Sequence, residues 1–191
     1  MKKGLLITLG VILVLVVGLV GSFIGTYNRL QMLDETVNSQ WAQVENQLQR
    51  RSDLIPNLVN TVKGYASHEK SIFIGVADAR AQLSGAIKKG DLKSINKANA
   101  DFNSSLSRLL AIAENYPQLK ADQNFIALQD EIAGTENRLA VARKDYNDSV
   151  KEINAIIRTF PTNLIAGIAS VKSREYFQVE EGKTAVPDVK F

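Results

Sequence analysis

The first 28 residues contain an uninterrupted apolar run that constrains where the rest of the molecule can lie. There is no charged side chain between residues 4 and 28, and residues 5–24 are dominated by Leu, Val and Ile. A helix needs roughly 20 such residues to cross the hydrocarbon of a bilayer. Each Leu, Ile, Val or Phe favours insertion by about 0.3–0.6 kcal/mol. The run therefore predicts a transmembrane helix.

A cleaved signal peptide is the competing interpretation of this run. Signal peptides have an apolar core of about 7–15 residues followed by a small-residue cleavage site. The apolar run here is longer, and Val20-Gly21-Ser22 is a poor cleavage site. We therefore expect the helix to remain attached as an anchor.

The charges that flank the apolar run predict the orientation of the chain. Lys2 and Lys3 precede it, whereas Arg29 is the only basic residue in the 15 positions that follow Asn28. Basic flanks tend to stay in the cytoplasm. We expect a single-pass membrane protein, with a cytoplasmic N-terminus and the folded part outside.

Composition excludes several kinds of chemistry. The chain has no cysteine, which excludes disulfides, cysteine-bound metals and thiol nucleophiles. A di-iron bundle needs two Glu-x-x-His motifs, but His68 is the only histidine. The net charge is +3, of which Lys2 and Lys3 supply two, so there is no basic footprint for nucleic acid. We expect no metal, no cofactor, no nucleic-acid partner and no enzymatic activity.

Beyond the anchor, apolar residues recur at intervals of three and four, which is the period of an α-helix. The pattern predicts four amphipathic helices. The first continues from the anchor to a turn at residues 64–68, and the second ends at Gly90. Asp91 caps the third, which runs to Tyr116, and the last spans about 122–160 before Pro161.

Pro56 interrupts the hydrogen-bond ladder of the first of these helices. Because proline has no N–H, one backbone hydrogen bond of the helix is lost, and two arrangements are possible. Either the helix kinks near residues 51–56, or a new helix begins with Asp53 as its cap.

These elements predict an all-α protein, in which an N-terminal transmembrane helix is followed by a long antiparallel four-helix bundle whose first and last helices are longest. Short loops favour antiparallel neighbours. The expected segments are an anchor at 1–26, a bundle at 27–161 and an amphipathic or extended tail at 162–191. Four tail residues are candidate membrane-surface contacts, or alternatively cap the end of the bundle: Leu164, Ile165, Ile168 and Val171.

The most informative polar segment surrounds Pro56. Arg50 and Asp53 are three residues apart and are expected to pair locally. Arg51 lies near the apolar stripe and is expected to hold a carboxylate of a neighbouring helix, such as Asp78, Asp145, Asp148 or Glu152. Alternatively, the segment docks another protein. The candidate docking or structural motif consists of Gln49, Arg50, Arg51, Asp53, Pro56 and Asn57.

This motif carries a family resemblance. Residues 47–59 read QLQRRSDLIPNLV and are followed by VKGYA at residues 62–66. With these segments the chain resembles the bacterial LemA family. The resemblance implies a single-pass, N-terminally anchored helical bundle of the bacterial cell membrane, and it implies no enzymatic activity. It extends to Tyr27-Asn28, Trp41, His68-Glu69, Ala79-Arg80, Tyr146-Asn147, Phe160-Pro161, Tyr176-Phe177 and Val189-Lys190-Phe191.

The favoured function is that of a non-enzymatic, membrane-anchored scaffold. Apolar seams with heptad spacing predict self-assembly into a homo-oligomer or docking of other membrane-associated proteins, with membrane lipid as a further partner. Two alternatives remain open. One is a bundle outside the cytoplasm that senses a ligand or partner, and the other is membrane remodelling through the tail.

Overall fold

The computed structural model describes residues 2–178, and most of them are helical. Within that range there is no β-strand, so the all-α prediction is confirmed. The helices are α1 (Lys2–Tyr65), α2 (Lys70–Lys89), α3 (Leu92–Ala111), a 3-10 turn (Ile112–Asn115), α4 (Pro117–Lys120), α5 (Gln123–Ile156) and α6 (Thr162–Ile168).

Helix α1 is one uninterrupted helix of 64 residues. Its large apolar side chains from Leu6 to Ile24 are 39–72% exposed, as expected for a surface that faces lipid. Among the described residues, α1 is the one helix long and apolar enough to cross a membrane. From Leu30 onward the exposed apolar surface gives way to a buried stripe, so one helix carries both the anchor and the first core element.

The alternative in which Asp53 restarts the helix is wrong, because α1 continues without a break across Pro56.

The chain divides into two compact units. The first unit comprises Met1–Gln40 and Asn147–Glu175, and the second comprises Trp41–Tyr146 and Tyr176–Phe191.

In the second unit, α1 and α5 run antiparallel. Trp41 packs on Tyr146 with ring centroids 5.3 Å apart. Further along, Arg50 pairs with Glu131, and the Tyr65 hydroxyl donates to an Asp122 carboxylate oxygen at 2.7 Å. Residue numbers rise on α1 as they fall on α5, which defines the antiparallel register.

The turn between α2 and α3 forms as the sequence predicts. Gly90 ends α2 in the left-handed region at φ +67°, a conformation that glycine adopts without steric cost. Asp91 then accepts a hydrogen bond from the Ser94 backbone N–H at 3.0 Å and caps α3. Two residues are therefore enough to reverse the chain.

Two predicted helix ends are displaced. Helix α3 ends at Ala111 instead of Tyr116, because the chain tightens into a 3-10 turn before Pro117 begins α4. Helix α5 ends at Ile156 instead of Phe160. There the backbone N–H groups of Arg158 and Thr159 donate to the carbonyl oxygens three residues before them, which is the tighter hydrogen-bond pattern of a 3-10 helix.

In the first unit, hydrogen bonds fasten the segment after α6. The buried Asn154 amide donates to the Arg174 carbonyl at 2.8 Å and accepts from the Arg174 backbone N–H at 2.9 Å. The Arg174 guanidinium donates to Asp34 at 2.8 Å and to Asn38 at 3.0 Å. Arg174 therefore joins α5 to α1 within this unit.

Two of the four predicted membrane-surface residues face inward instead. Ile165 and Val171 are each 7% exposed and belong to the core of the first unit, whereas Leu164 and Ile168 are 62% and 65% exposed. Within α6, helical periodicity explains the split, because positions 164 and 168 share one face and position 165 lies on another. Val171 lies beyond α6, where its backbone N–H donates to the Ala166 carbonyl at 3.0 Å. The last part of the predicted tail, residues 179–191, lies outside the described residues.

Asn154→Ala is expected to release the segment around Arg174, since it leaves both backbone groups of that residue without their partner. We expect local opening to become more favourable by about 2 kcal/mol, which is about 30-fold. Limited trypsin digestion measures this as faster cleavage after Lys172 and Arg174. Asn28→Ala, an exposed asparagine of the same unit, is the matched control. Equal cleavage rates in both variants would contradict the clamp.

Candidate functional site

The structure divides the motif at residues 49–57 into a buried part and an exposed part. Arg51 is 6% exposed and Ser52 is fully buried, although both are polar. Pro56 is half-buried. The other four side chains of the motif are exposed at the surface of α1: Gln49, Arg50, Asp53 and Asn57.

Arg51 connects three helices of the second unit. Its Nη1 lies 2.5 Å from a carboxylate oxygen of Glu136 on α5 and donates to the Asn103 amide oxygen on α3 at 2.7 Å. The guanidinium also lies 5.5 Å from the centroid of the Phe102 ring, within range of a cation–π contact. The positive charge of Arg51 therefore contacts a carboxylate, an amide oxygen and the face of an aromatic ring.

Burial lowers the pKa of Arg51, and the neighbouring Glu136 carboxylate opposes that shift. Arginine starts so far above neutrality that it keeps its charge in proteins. Because an unpaired buried charge is strongly unfavourable, the contact with Glu136 is needed for the fold.

The predicted role of Arg51 is therefore correct in kind, but the predicted partners are wrong. None of Asp78, Asp145, Asp148 or Glu152 pairs with it in this way; Glu136 does. Periodicity shows that Arg51 faces a neighbouring helix. The antiparallel register of α1 and α5 decides which carboxylate is opposite, and no local signal reports that register.

The exposed part of the motif carries a cluster of charges. Glu131 on α5 accepts from Arg50 at 2.7 and 3.1 Å, and from Arg138 at 2.9 Å. Asp53 accepts instead from the Gln49 amide at 2.9 Å, so the predicted local pair of Arg50 with Asp53 is wrong. Two guanidinium groups therefore share one carboxylate, and both arginine side chains remain largely exposed.

Pro56 leaves the carbonyl of Ser52 without its usual helical donor, and another helix supplies one. Arg80 on α2 donates from Nε to the Ser52 carbonyl oxygen at 2.9 Å. The Arg80 guanidinium also lies 3.7 Å from Asp53. Sequence reasoning missed this role of Arg80, although the missing N–H of Pro56 signals that some outside donor is required.

Aromatic side chains pack together in another part of the second unit. Trp41 packs between Tyr146 and Phe177, with ring centroids 5.3 and 6.3 Å away. The Arg143 guanidinium lies 4.6 Å from the centroid of Phe177. Phe177 is only 4% exposed, so the start of the C-terminal segment is part of this core.

The carboxylates whose pKa values are shifted accept hydrogen bonds from backbone N–H groups at the start of helices. A hydrogen bond from the Tyr65 hydroxyl, with help from backbone N–H groups, lowers the pKa of Asp122, and the same hydrogen bond raises the pKa of Tyr65. Hydrogen bonds from Ser94 lower the pKa of Asp91. Across residues 2–178, no three His, Asp or Glu side chains converge as metal ligands would.

Comparison with known proteins identifies the family. A family model described as the LemA family matches residues 40–191, a range that includes the whole motif, Arg80, Trp41 and Glu136. The chain belongs to the LemA family.

The relatives of the chain include magnetosome proteins and a protein named LemA. Magnetosome proteins MamQ 1 and MamQ 2 of Paramagnetospirillum magneticum are each 28% identical to it, over 85% of this chain and 68% of theirs. Protein LemA of Metamycoplasma hominis is 23% identical, over 83% of this chain and 72% of its own. With the exposed apolar part of α1, these relationships describe a membrane-associated helical protein.

The contacts of the buried Arg51, including its pair with the half-exposed Glu136, are expected to contribute more stability than the exposed pair of Arg50 and Glu131. Arg51→Ala removes an ion pair with the half-exposed Glu136, a hydrogen bond to Asn103 and packing on Phe102, and we expect a loss of about 2–3 kcal/mol. Arg50→Ala removes an exposed pair and should cost less than about 1 kcal/mol.

Thermal unfolding of the full chain in detergent, followed by circular dichroism, compares the two variants. A lower melting temperature for Arg50→Ala than for Arg51→Ala would refute this assignment.

Arg80 and Pro56 are expected to be energetically coupled. Arg80→Ala leaves the buried Ser52 carbonyl without a donor, which should cost about 1–2 kcal/mol. In a Pro56→Ala background, residue 56 regains its N–H and can satisfy that carbonyl. The cost of Arg80→Ala should then fall by about 1 kcal/mol. A double-mutant cycle measures this coupling, and additive costs would exclude it.

Proposed function

We propose that this LemA-family protein is a non-enzymatic, membrane-anchored scaffold that docks other proteins, or further copies of itself, through the exposed part of the motif. We place its N-terminus in the cytoplasm and its helical part outside, on the basis of the basic residues Lys2 and Lys3 that precede the apolar run.

An antiparallel four-helix bundle is part of this proposal, and contacts within the second unit support it. Antiparallel pairing of α1 with α5 follows from the contacts at Trp41 and Tyr65. Lys63 lies over the ring of Phe73 and Arg80 reaches Ser52, so α2 runs back along α1. The tight turn at Gly90 then reverses α3. Such a bundle presents rigid helical faces on which partners can assemble.

The division of the motif is the observation that carries the proposal. Arg51 and Ser52 serve the interior, whereas Arg50, Asp53 and Asn57 lie at the surface. Arg50 and Arg138 share one carboxylate, Glu131, and their side chains are 59% and 45% exposed, so both guanidinium groups are accessible to an acidic group of a partner. A guanidinium can bind a carboxylate in bidentate geometry, which suits docking of an acidic segment.

Site-specific photo-crosslinking in native membranes tests the docking face. With p-benzoylphenylalanine at position 57 we expect crosslinked products, because Asn57 lies on this face. Position 74 is the control, because Ile74 is 62% exposed on α2. Arg50→Ala should reduce the yield at position 57 severalfold and change the melting temperature by less than about 4 °C.

The masses of the crosslinked products tell a second copy from another protein. Equal yields at positions 57 and 74, or a yield that Arg50→Ala leaves unchanged, would refute docking at this face.

A further inference from the structure

Three large apolar side chains of the first unit are exposed within nine residues of one another. Phe160 is 81% exposed, Leu164 is 62% exposed and Ile168 is 65% exposed. Leu164 and Ile168 are four residues apart on one face of α6, while Ile165 and Ala166 on the other side are buried. Isolated exposed apolar residues are common in proteins, but several together indicate a contact surface.

Contacts within the first unit place these residues near the anchor. The Ala169 carbonyl accepts a hydrogen bond from Gln31 at 3.2 Å, and five residues later Arg174 binds Asp34. After α6, the chain therefore moves along α1 away from the anchor, so α6 precedes it on the anchor side. Thr26 and Tyr27 are half-buried, whereas residues 6–25 are all exposed, so the part of α1 that protein covers begins directly after the apolar run.

The distance to the bilayer fits the headgroup layer. Gln31 is seven residues beyond Ile24, which corresponds to roughly 10 Å along a helix. The polar layer on each side of the hydrocarbon is about 5–8 Å thick. With the anchor inserted as far as Ile24, the segment that ends at Ala169 therefore lies at the membrane surface.

The charge of this segment also suits a phospholipid surface. Between Glu152 and Glu175 there is no acidic residue. Arg158 and Lys172 are both exposed there. Exposed apolar residues flanked by basic ones are the pattern of segments that lie in the bilayer interface, where anionic headgroups attract the cations.

We propose that Phe160, Leu164 and Ile168 form an interfacial patch that rests on the bilayer in which α1 is anchored. The inference depends on the membrane anchoring in the proposed function. The patch gives the first unit a second attachment point, so that the tilt of α1 at the membrane surface is restrained by two contacts instead of one.

The absence of cysteine makes a specific spin-label experiment straightforward. Single cysteines introduced at positions 164 and 168 of the full chain are labelled, and the protein is placed in nanodiscs of phosphatidylcholine and phosphatidylglycerol. Accessibility to oxygen, which concentrates in lipid, is compared with accessibility to a water-soluble nickel chelate. Leu15 is the anchor reference, and Val141, 59% exposed in the second unit, is the aqueous reference.

We expect an oxygen-to-nickel ratio at positions 164 and 168 that is severalfold higher than at position 141. Leu164→Glu should lower the ratio at a label on position 168, because the apolar face is interrupted. An unchanged ratio in that variant would contradict the apolar contact.

The remaining outcomes separate this inference from the anchoring on which it depends. Water-like ratios at 164 and 168 with a lipid-like ratio at 15 would overturn the patch and leave the anchor in place. A water-like ratio at 15 would overturn both. Protection of 164 and 168 from both reagents would mean that protein covers this face, which also rejects the patch.

Discussion

The structure depends on one constraint, which is that a single continuous helix must satisfy two different surroundings. From Leu6 to Ile24, α1 exposes apolar side chains that water would disfavour, so lipid is the environment that stabilises them. From Leu30 to Val62 the same helix buries its apolar stripe against protein. Because α1 has no break, the part of the helix on which other elements pack continues directly into the anchor.

Polar groups inside the second unit show how the motif and the fold depend on each other. Pro56 removes a backbone donor, and Arg80 from α2 supplies another to the Ser52 carbonyl. Arg51 is charged and buried, and Glu136 on α5 provides the opposite charge. Each contact crosses between helices, so this short segment joins α1 to α2, α3 and α5.

In the first unit, side-chain hydrogen bonds fasten the segment after α6 to α5 and α1. Asn154 uses both halves of its amide on the backbone of Arg174, whose side chain reaches Asp34. The segment after α6 is thereby fixed against α1 although it has no regular secondary structure. Leu164 and Ile168 remain at the surface of this unit, 62% and 65% exposed.

The sequence by itself determined the all-α class, the anchor, the stripe on α1 and the caps at Gly90 and Asp91. All of these depend on residues a few positions apart, and helical period, missing donors and left-handed conformations are local physics. Only the tertiary structure decided that Arg51 meets Glu136, that Arg80 serves Ser52, and that Ile165 is buried while Leu164 is not. Those outcomes depend on the register between helices distant in sequence, which many side chains set together and no single residue reports.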